Sequence, residues 1–318
     1  MGSCPLTHAS IEHEFMIDNI HIIAYGDDLL SRVAYAMQEK GLSVSCSGCA
    51  PELTAKLQQG GVLVGPLQEV IATGQKVNFV VSSLADVENH ADPEIEYAEA
   101  LHLPVIPVAD LFIALTENKA LVVESNPRFP NRILSIIWHI LQSQKRNCDY
   151  LTKTFMQGLS RKVAFSENTR ICLLDGDLLL HTESRNYKSN ILILSSLLWK
   201  ESPQYPTFEA YLDVWHKAVN SIDRNGILIY NQAVTVFQEW AENVREDITA
   251  IPFKAHPYRK EGDACFLTGT KTEIALPYPC DEELLCDINA ARLVCRQLGV
   301  ADKTFYQVIA SADFLKKN

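Results

Sequence analysis

Short apolar runs alternate with helical patterns along nearly the whole chain, and this alternation restricts the fold more than any other feature. Asn19–Tyr25 is strand-like, and the helical pattern Leu29–Lys40 places Leu29, Val33, Ala36 and Met37 on one face. Gly41 stops that pattern and Leu42–Ser45 reads as a second strand. Val77–Val81 is largely apolar, as a strand covered on both faces must be. Pro93–Leu101 is helical, Val105–Pro107 strand-like and Ala109–Leu115 helical again. A second series follows, with strands at Ala120–Val123, Ile171–Leu174, Ile191–Leu194 and Ile227–Tyr230. Helices are expected at Asn131–Gln142, Phe208–Val219, Val234–Glu242 and Glu283–Leu298, with a short helical segment at the end. Cys265–Leu267 and Glu273–Leu276 suit a hairpin. Strands and helices in this order predict an α/β protein with parallel, Rossmann-like sheets.

At 318 residues the chain is long enough for two domains. The polar stretch Thr116–Lys119 is the expected boundary, giving a Rossmann-like domain at 1–117 and a second α/β domain at 118–318. A net charge of −11, with scattered Lys and Arg, argues against nucleic acid as partner. No apolar run reaches the ~18 to 20 residues of a membrane span, and no secretory signal pattern stands at the start. Met1-Gly2-Ser3-Cys4 resembles an acylation start, but Leu6 stands where Ser or Thr is required. A cytoplasmic protein is therefore expected. Nine cysteines at irregular spacing read as reduced, mostly buried thiols rather than a disulfide framework. Cys46 and Cys49 have redox or zinc spacing, but no second pair completes a four-ligand set, so no metal is expected.

Several landmarks fall in the order of a known family. Ile20-His21-Ile22-Ile23-Ala24-Tyr25-Gly26 sits where that family has an Ile-His strand and a glycine-rich loop, and Val80-Val81-Ser82-Ser83 matches its strand ending in Ser-Ser. Asp92-Pro93-Glu94 matches an Asn-Pro-Glu helix start, and Pro104–Pro107 with Ala109-Asp110-Leu111 matches the last strand and helix of a UDP-binding domain. With these residues the chain resembles the Mur ligases, ATP-dependent cell-wall peptide ligases, and in particular those acting on UDP-N-acetylmuramate. The resemblance runs from about Asn19 to about Leu315. It implies a UDP-sugar-binding domain followed by a central ATP-binding domain, and it leaves the third, amino-acid-presenting ligase domain without a counterpart.

At each place where the resemblance implies chemistry, the residue types have changed. The first loop reads Ala24-Tyr25-Gly26-Asp27-Asp28, with only Gly26 left and two carboxylates where a diphosphate sits. Asp27 and Asp28 read more simply as helix-capping groups. The phosphate-loop position, Glu124 to Arg132, has no Gly, no Lys and two prolines, which remove N–H donors. Arg128 and Arg132 could meet an anion as point charges, Pro130 suits a helix start and Asn131 its first turn. Asp175 and Asp177 keep part of an acidic metal cluster, but Asp175-Gly176-Asp177 reads first as a turn with Gly supplying an unusual φ. Leu198 and Lys200-Glu201 replace the family's Glu and Asp-His, and Glu282-Glu283 stand at the entry to the closing helix in place of its Gly-x-His-Asn pattern.

The expectation is a Mur-ligase-like pseudoenzyme with a degenerate phosphate loop and no use of Mg-ATP, binding a UDP-sugar or peptidoglycan precursor, a protein partner or a second copy of itself. Gly26, Ser82, Ser83, Arg128, Asn131 and Arg132 are the candidate nucleotide or UDP-sugar contacts, and Asp175 and Asp177 the vestigial catalytic pair. Two alternatives stand beside it: an active UDP-N-acetylmuramate–amino acid ligase with an altered nucleotide site, and a structural scaffold. Tyr211 and Trp215, at helical spacing, are expected in the core.

Overall fold

The computed structural model describes residues 18–82, 92–116, 118–125, 131–166, 168–178, 188–202, 205–262, 264–269 and 273–315. The chain divides into two compact units, Met1–Leu111 and Phe112–Asn318.

The first unit is built on a five-stranded parallel sheet of β1 (Ile20–Ile23), β2 (Val44–Ser47), β3 (Leu63–Val64), β4 (Phe79–Ser82) and β5 (Val105–Pro107), in the order β3-β2-β1-β4-β5. Helices α1 (Asp28–Glu39), α2 (Pro51–Gln59), α3 (Leu67–Ala72), α4 (Pro93–Ala100) and α5 (Val108–Leu115) connect or follow the strands. All four residues of β1, β2 and β4 are buried, as strands covered on both faces must be. The apolar face of α1 is buried as its spacing predicts, at Leu29, Val33, Ala36 and Met37. Asp92 caps α4, accepting from the N–H groups of Glu94 and Ile95, and Pro93 takes the first helical position, where a missing N–H costs nothing. Strand order reverses between β1 and β4, so their carboxyl ends open the crevice where such sheets take ligands.

Among the described residues, the main sheet of the second unit has seven strands in the order β12-β11-β10-β6-β9-β7-β8. They are β6 (Ala120–Ser125), β7 (Asp149–Leu151), β8 (Val163–Ala164), β9 (Ile171–Asp175), β10 (Ile191–Leu194), β11 (Ile227–Asn231) and β12 (Thr249–Phe253). Only the β7–β8 pairing is antiparallel. The hairpin expected near Cys265 is a three-stranded antiparallel sheet of β13 (Tyr258–Glu261), β14 (Ala264–Leu267) and β15 (Ile274–Leu276). Helices α6 (Arg132–Ser143), α7 (Phe208–Asn220), α8 (Thr235–Glu242), α9 (Glu282–Gln297) and α10 (Asp302–Ala310) complete it. Ile133, Ile137 and Ile140 of α6 share one core with Leu285, Ile288 and Val294 of α9. Each such side chain contributes about 1.5–3 kcal/mol by leaving water. Tyr211 and Trp215 are buried, as expected.

One cysteine reading is corrected. Cys265 and Cys280 form a disulfide, because β14 and the approach to α9 bring their Cα atoms to 6.2 Å. Their separation of 15 residues carries no signal in the sequence.

Candidate functional site

In the first unit, β1 passes into α1 through Ala24–Asp27. The turn is tight: Tyr25 has φ 48° and Gly26 has φ 80°, a region that glycine enters without penalty. The next N–H groups point out of the helix and are the donors a diphosphate would meet. Here the chain supplies its own anion. Asp27 Oδ1 accepts from the N–H of Leu29 at 2.6 Å and of Leu30 at 3.0 Å. Asp28 turns the other way and pairs with Arg32 at 2.7 Å, one helical turn on. Asp27 caps the helix as expected, whereas Asp28 is not a cap but the first helical residue, paired with Arg32.

Ser82 ends β4 beside this loop; it is fully buried, and its hydroxyl donates to the carbonyl of Ile23 at 3.5 Å. Ser82 and the loop holding Gly26 therefore meet at the strand switch point. Ser83 lies outside the described residues. Below them, His21 is fully buried, with Nδ1 2.9 Å from Ser45 Oγ and Nε2 3.2 Å from Glu94 Oε2. Burial raises the Glu94 carboxyl, but hydrogen bonds from His21, the Leu67 N–H at 2.6 Å and Ser47 outweigh it and hold the group below the usual carboxylate range. This network ties β1, β2, α3 and α4 together; nothing in the sequence pattern singles out Glu94 as its centre.

In the second unit, β6 ends in Glu124-Ser125 and the chain re-enters the description at Asn131; Arg128 lies outside the described residues. Asn131 is the N-cap of α6, and its Oδ1 accepts from the Leu134 N–H at 3.1 Å. The first helical residue, Arg132, does not face an open anion site. Its Nε donates to Asp287 Oδ2 at 2.6 Å, and its Nη2 pairs with Glu283. The closing helix α9 thus supplies two carboxylates to Arg132.

A cavity of about 280 Å³ opens at the carboxyl ends of β6, β10 and β11, lined by Glu124, Ser195, Asn231, Lys254, Glu283 and Asp287 among others. Glu124 is 2% exposed, and its Oε2 has no hydrogen-bond partner among the described residues. Burial, then the nearby charges of Asp287 and Asp175, push its carboxyl well above the usual range. The sheet register explains part of this, since Glu124 stands directly beside Asp175 on β9. Sequence reading passed over Glu124 as a loop boundary; the signal was an acid closing the apolar strand Ala120–Val123.

Asp175 is also buried, and burial followed by the charge of Asp177 pushes it up to about 7. Its oxygens accept from the N–H groups of Lys153 at 3.1 Å and Asp177 at 3.0 Å, so it acts as a backbone tie. Asp177 keeps one buried oxygen without a partner. Among the described residues, no three His, Cys, Asp or Glu side chains gather as a metal site. The turn reading needs a correction. Residues Gly176–Leu178 form a short 3-10 helix, and Gly176 is absent from the positive-φ residues. Glycine is required there by close approach instead, since a Cβ would lie 2.6 Å from the Glu124 carbonyl oxygen and 2.7 Å from Trp215 Cη2.

Two Rossmann-like α/β units, each with its crevice at the carboxyl ends of parallel strands, define a fold class that solved structures share. A UDP-N-acetylmuramate:L-alanyl-gamma-D-glutamyl-meso-diaminopimelate ligase from Neisseria meningitides superposes with a TM-score of 0.73 at 14% identity, over 94% of this chain and 98% of that one. A UDP-N-acetylmuramate-alanine ligase from Thermotoga maritima gives 0.66 at 15% identity, over 92% and 68%. A pseudomurein peptide ligase from Methanothermus fervidus gives 0.55 at 10%, over 95% and 71%. In sequence, the chain is 22% identical over 240 residues to a UDP-N-acetylmuramate–L-alanine ligase from Dictyoglomus turgidum. That match covers 74% of this chain and spans about half of the relative, 49%. No family model matches the sequence. The chain has the fold of these Mur ligases.

Proposed function

We propose that this chain is a Mur-ligase relative that has kept the scaffold and given up ATP-driven ligation, and that it acts as a binding or regulatory module in peptidoglycan-precursor chemistry. The observation that carries the proposal is the engagement of Arg132 by Asp287 and Glu283 beside the buried acid Glu124. A nucleotide triphosphate brings several negative charges and needs donors at the start of α6. This end of the unit offers an Asn131 cap, an Arg132 already paired, and a cavity in which Glu124, Glu282, Glu283 and Asp287 outnumber Lys254. Mg²⁺ binding needs freely presented carboxylate oxygens. Each oxygen of Asp175 already accepts from a backbone N–H, while Glu124 and Asp177 each keep one buried oxygen with no partner among the described residues.

Relatives that act on UDP-N-acetylmuramate make such a sugar nucleotide the first ligand class to test in the first unit. Gly26 and Ser82 at the strand switch point are its expected contacts, with Asp27 as an internal competitor for the diphosphate. The test is calorimetric titration with UDP-N-acetylmuramate, followed by assay of phosphate release with Mg-ATP and L-alanine. Binding of the sugar nucleotide without ATP-dependent phosphate release is expected. Release that depends on the muramyl substrate would overturn the reading.

A further inference from the structure

On the face of the second sheet that packs against α6 and α9, four parallel strands turn from apolar to polar at their carboxyl ends. Side chains two apart share a face, and Val122, Leu173, Ile193 and Ile229 all lie in the core shared with these helices. The next residues on that face are Glu124, Asp175, Ser195 and Asn231. Glu124, Ser195 and Asn231 line the cavity there, and so do Cys286 and Asp287 of α9. Most of the polar groups answer one another. Ser195 Oγ donates to the Ser125 carbonyl at 2.9 Å, and Asn231 Nδ2 to the Ser195 carbonyl at 3.2 Å. Asn231 Oδ1 accepts from the Ala233 N–H at 3.0 Å, and Arg132 pairs with Asp287 and Glu283. Glu124 is the exception, being 2% exposed with its Oε2 unpartnered among the described residues. An acceptor buried in this way calls for a donor.

The surroundings select the kind of donor. An anion is disfavoured, because Glu124, Glu282, Glu283 and Asp287 line the cavity against Lys254. Asp175, beside Glu124 in the sheet register, adds another acid. A bare divalent cation is poorly served, since it wants several oxygen ligands at once. Among the described residues, no three His, Cys, Asp or Glu side chains gather in that way. Phe253, Ala233 and Ala255 give the cavity an apolar wall as well. Its volume of about 280 Å³ falls at the small end of ligand clefts, ~300–1,000 Å³. We propose that this cavity binds a small aliphatic amine in its ammonium form, the ammonium donating to Glu124 and the carbon chain lying against Phe253, Ala233 and Ala255. It rests on the reading that Mg-ATP is no longer used at this end of the unit, and it names what binds there instead.

Binding is tied to a proton. Burial, then Asp287 of α9 and Asp175 of β9, hold the Glu124 carboxyl toward its protonated form. Glu283 and Cys286 of α9, Arg132 of α6 and Lys254 after β12 complete the titratable and charged groups around it. An arriving ammonium favours the carboxylate over the acid. The Glu124 proton therefore leaves to solvent as the cation enters, and the net charge of the occupied site stays what it was.

The experiment is calorimetric titration of the full chain with 1,4-diaminobutane near pH 8, in two buffers of different protonation enthalpy. The expected result is one site per chain, with a buffer-dependent heat that reports release of about one proton. Glu124→Gln should weaken binding roughly tenfold or more and abolish the buffer dependence, because a neutral amide has no proton to give up. Asp213→Asn removes an exposed acid paired with Lys217 and should leave both readouts unchanged. The proposal is overturned if no heat is seen, if both variants weaken binding equally, or if magnesium chloride gives the same heat. The last two results would mean general attraction of cations to a chain of net charge −11. Should Glu124→Gln fail to fold, the buffer dependence and the magnesium comparison on the wild-type chain still decide. Mg-ATP titrated into the same samples separates the two readings: binding of Mg-ATP defeats the loss of ATP use, whereas silence toward both ligands defeats only the amine site.

Discussion

Glu124 and Asp175 lie side by side on adjacent strands, both buried and both displaced toward the protonated form. An unfolded carboxyl titrates near about 4, whereas Asp175 is pushed up to about 7 in the folded chain. Between those values the native state holds protons that the unfolded state has released, so stability declines as pH rises through that window. Glu124→Gln removes one of the two groups while keeping its shape. Thermal denaturation at pH 5 and pH 8 should show the variant gaining on the wild type at the higher pH only; an equal shift at both would contradict the account. Gly176 carries a second residue-scale prediction. Gly176→Ala forces a methyl against the Glu124 carbonyl and the Trp215 ring, and overpacking of this kind costs about 1–3 kcal/mol in denaturant unfolding. A neutral effect would mean the contact relaxes freely.

Among the elements, the starts of α1 and α6 decide what the two crevices can bind. Asp27→Ala should cost about 1 kcal/mol of stability through loss of the cap. It also frees the Leu29 and Leu30 N–H groups, so affinity for a sugar nucleotide, measured by calorimetry, should rise rather than fall. Weaker binding would show that Asp27 contacts the ligand itself. At α6, Arg132→Ala removes the guanidinium that pairs with Asp287 and Glu283. Breaking a partly buried ion pair from one side costs about 3 kcal/mol, to be read from the urea midpoint with unchanged slope. A loss under about 0.5 kcal/mol, the scale of a surface pair, would make Arg132 a solvent-facing charge open to an anion. Capping was legible at α1, where Asp27 precedes an apolar helix, whereas at α6 the sequence places Asn131 in the first turn and the structure makes it the N-cap, with Arg132 the first helical residue. The pairing of Arg132 was hidden, since its partners lie 151 and 155 residues away.

At the scale of the molecule, the two sheets were legible where strands are buried on both faces. Ile191–Leu194 falls where its apolar run stands, and β6 and β9 extend only slightly further. Missed elements are the short or polar ones. Leu63–Val64 spans two residues, and Tyr258–Glu261 pairs at the edge of a small sheet with no alternating pattern. Thr249–Phe253 contains Pro252, which argues against a central strand and is accommodated at the sheet edge. The chain divides after Leu111, whereas the polar stretch at Thr116–Lys119 marks the boundary in sequence; α5 runs on from one to the other. Among the described residues, no helix is long and apolar enough to cross a membrane. The family landmarks were readable as an ordered series. The replacement chemistry of the cavity was not, because it depends on Glu124, Arg132, Glu283 and Asp287 converging from distant segments.

Titration of the chain with Mg-ATP by calorimetry, with thermal melting in parallel, tests the central claim most directly, because it asks only whether the second unit still binds the nucleotide. A ligand that binds the folded state stabilises it by mass action, by about 2.7 kcal/mol at a hundred times its Kd, and so raises the melting temperature. The account predicts no binding heat and no rise in melting temperature at millimolar Mg-ATP. Saturable binding that Arg132→Ala or Asp175→Ala abolishes would contradict it and restore this chain to the ATP-using ligases.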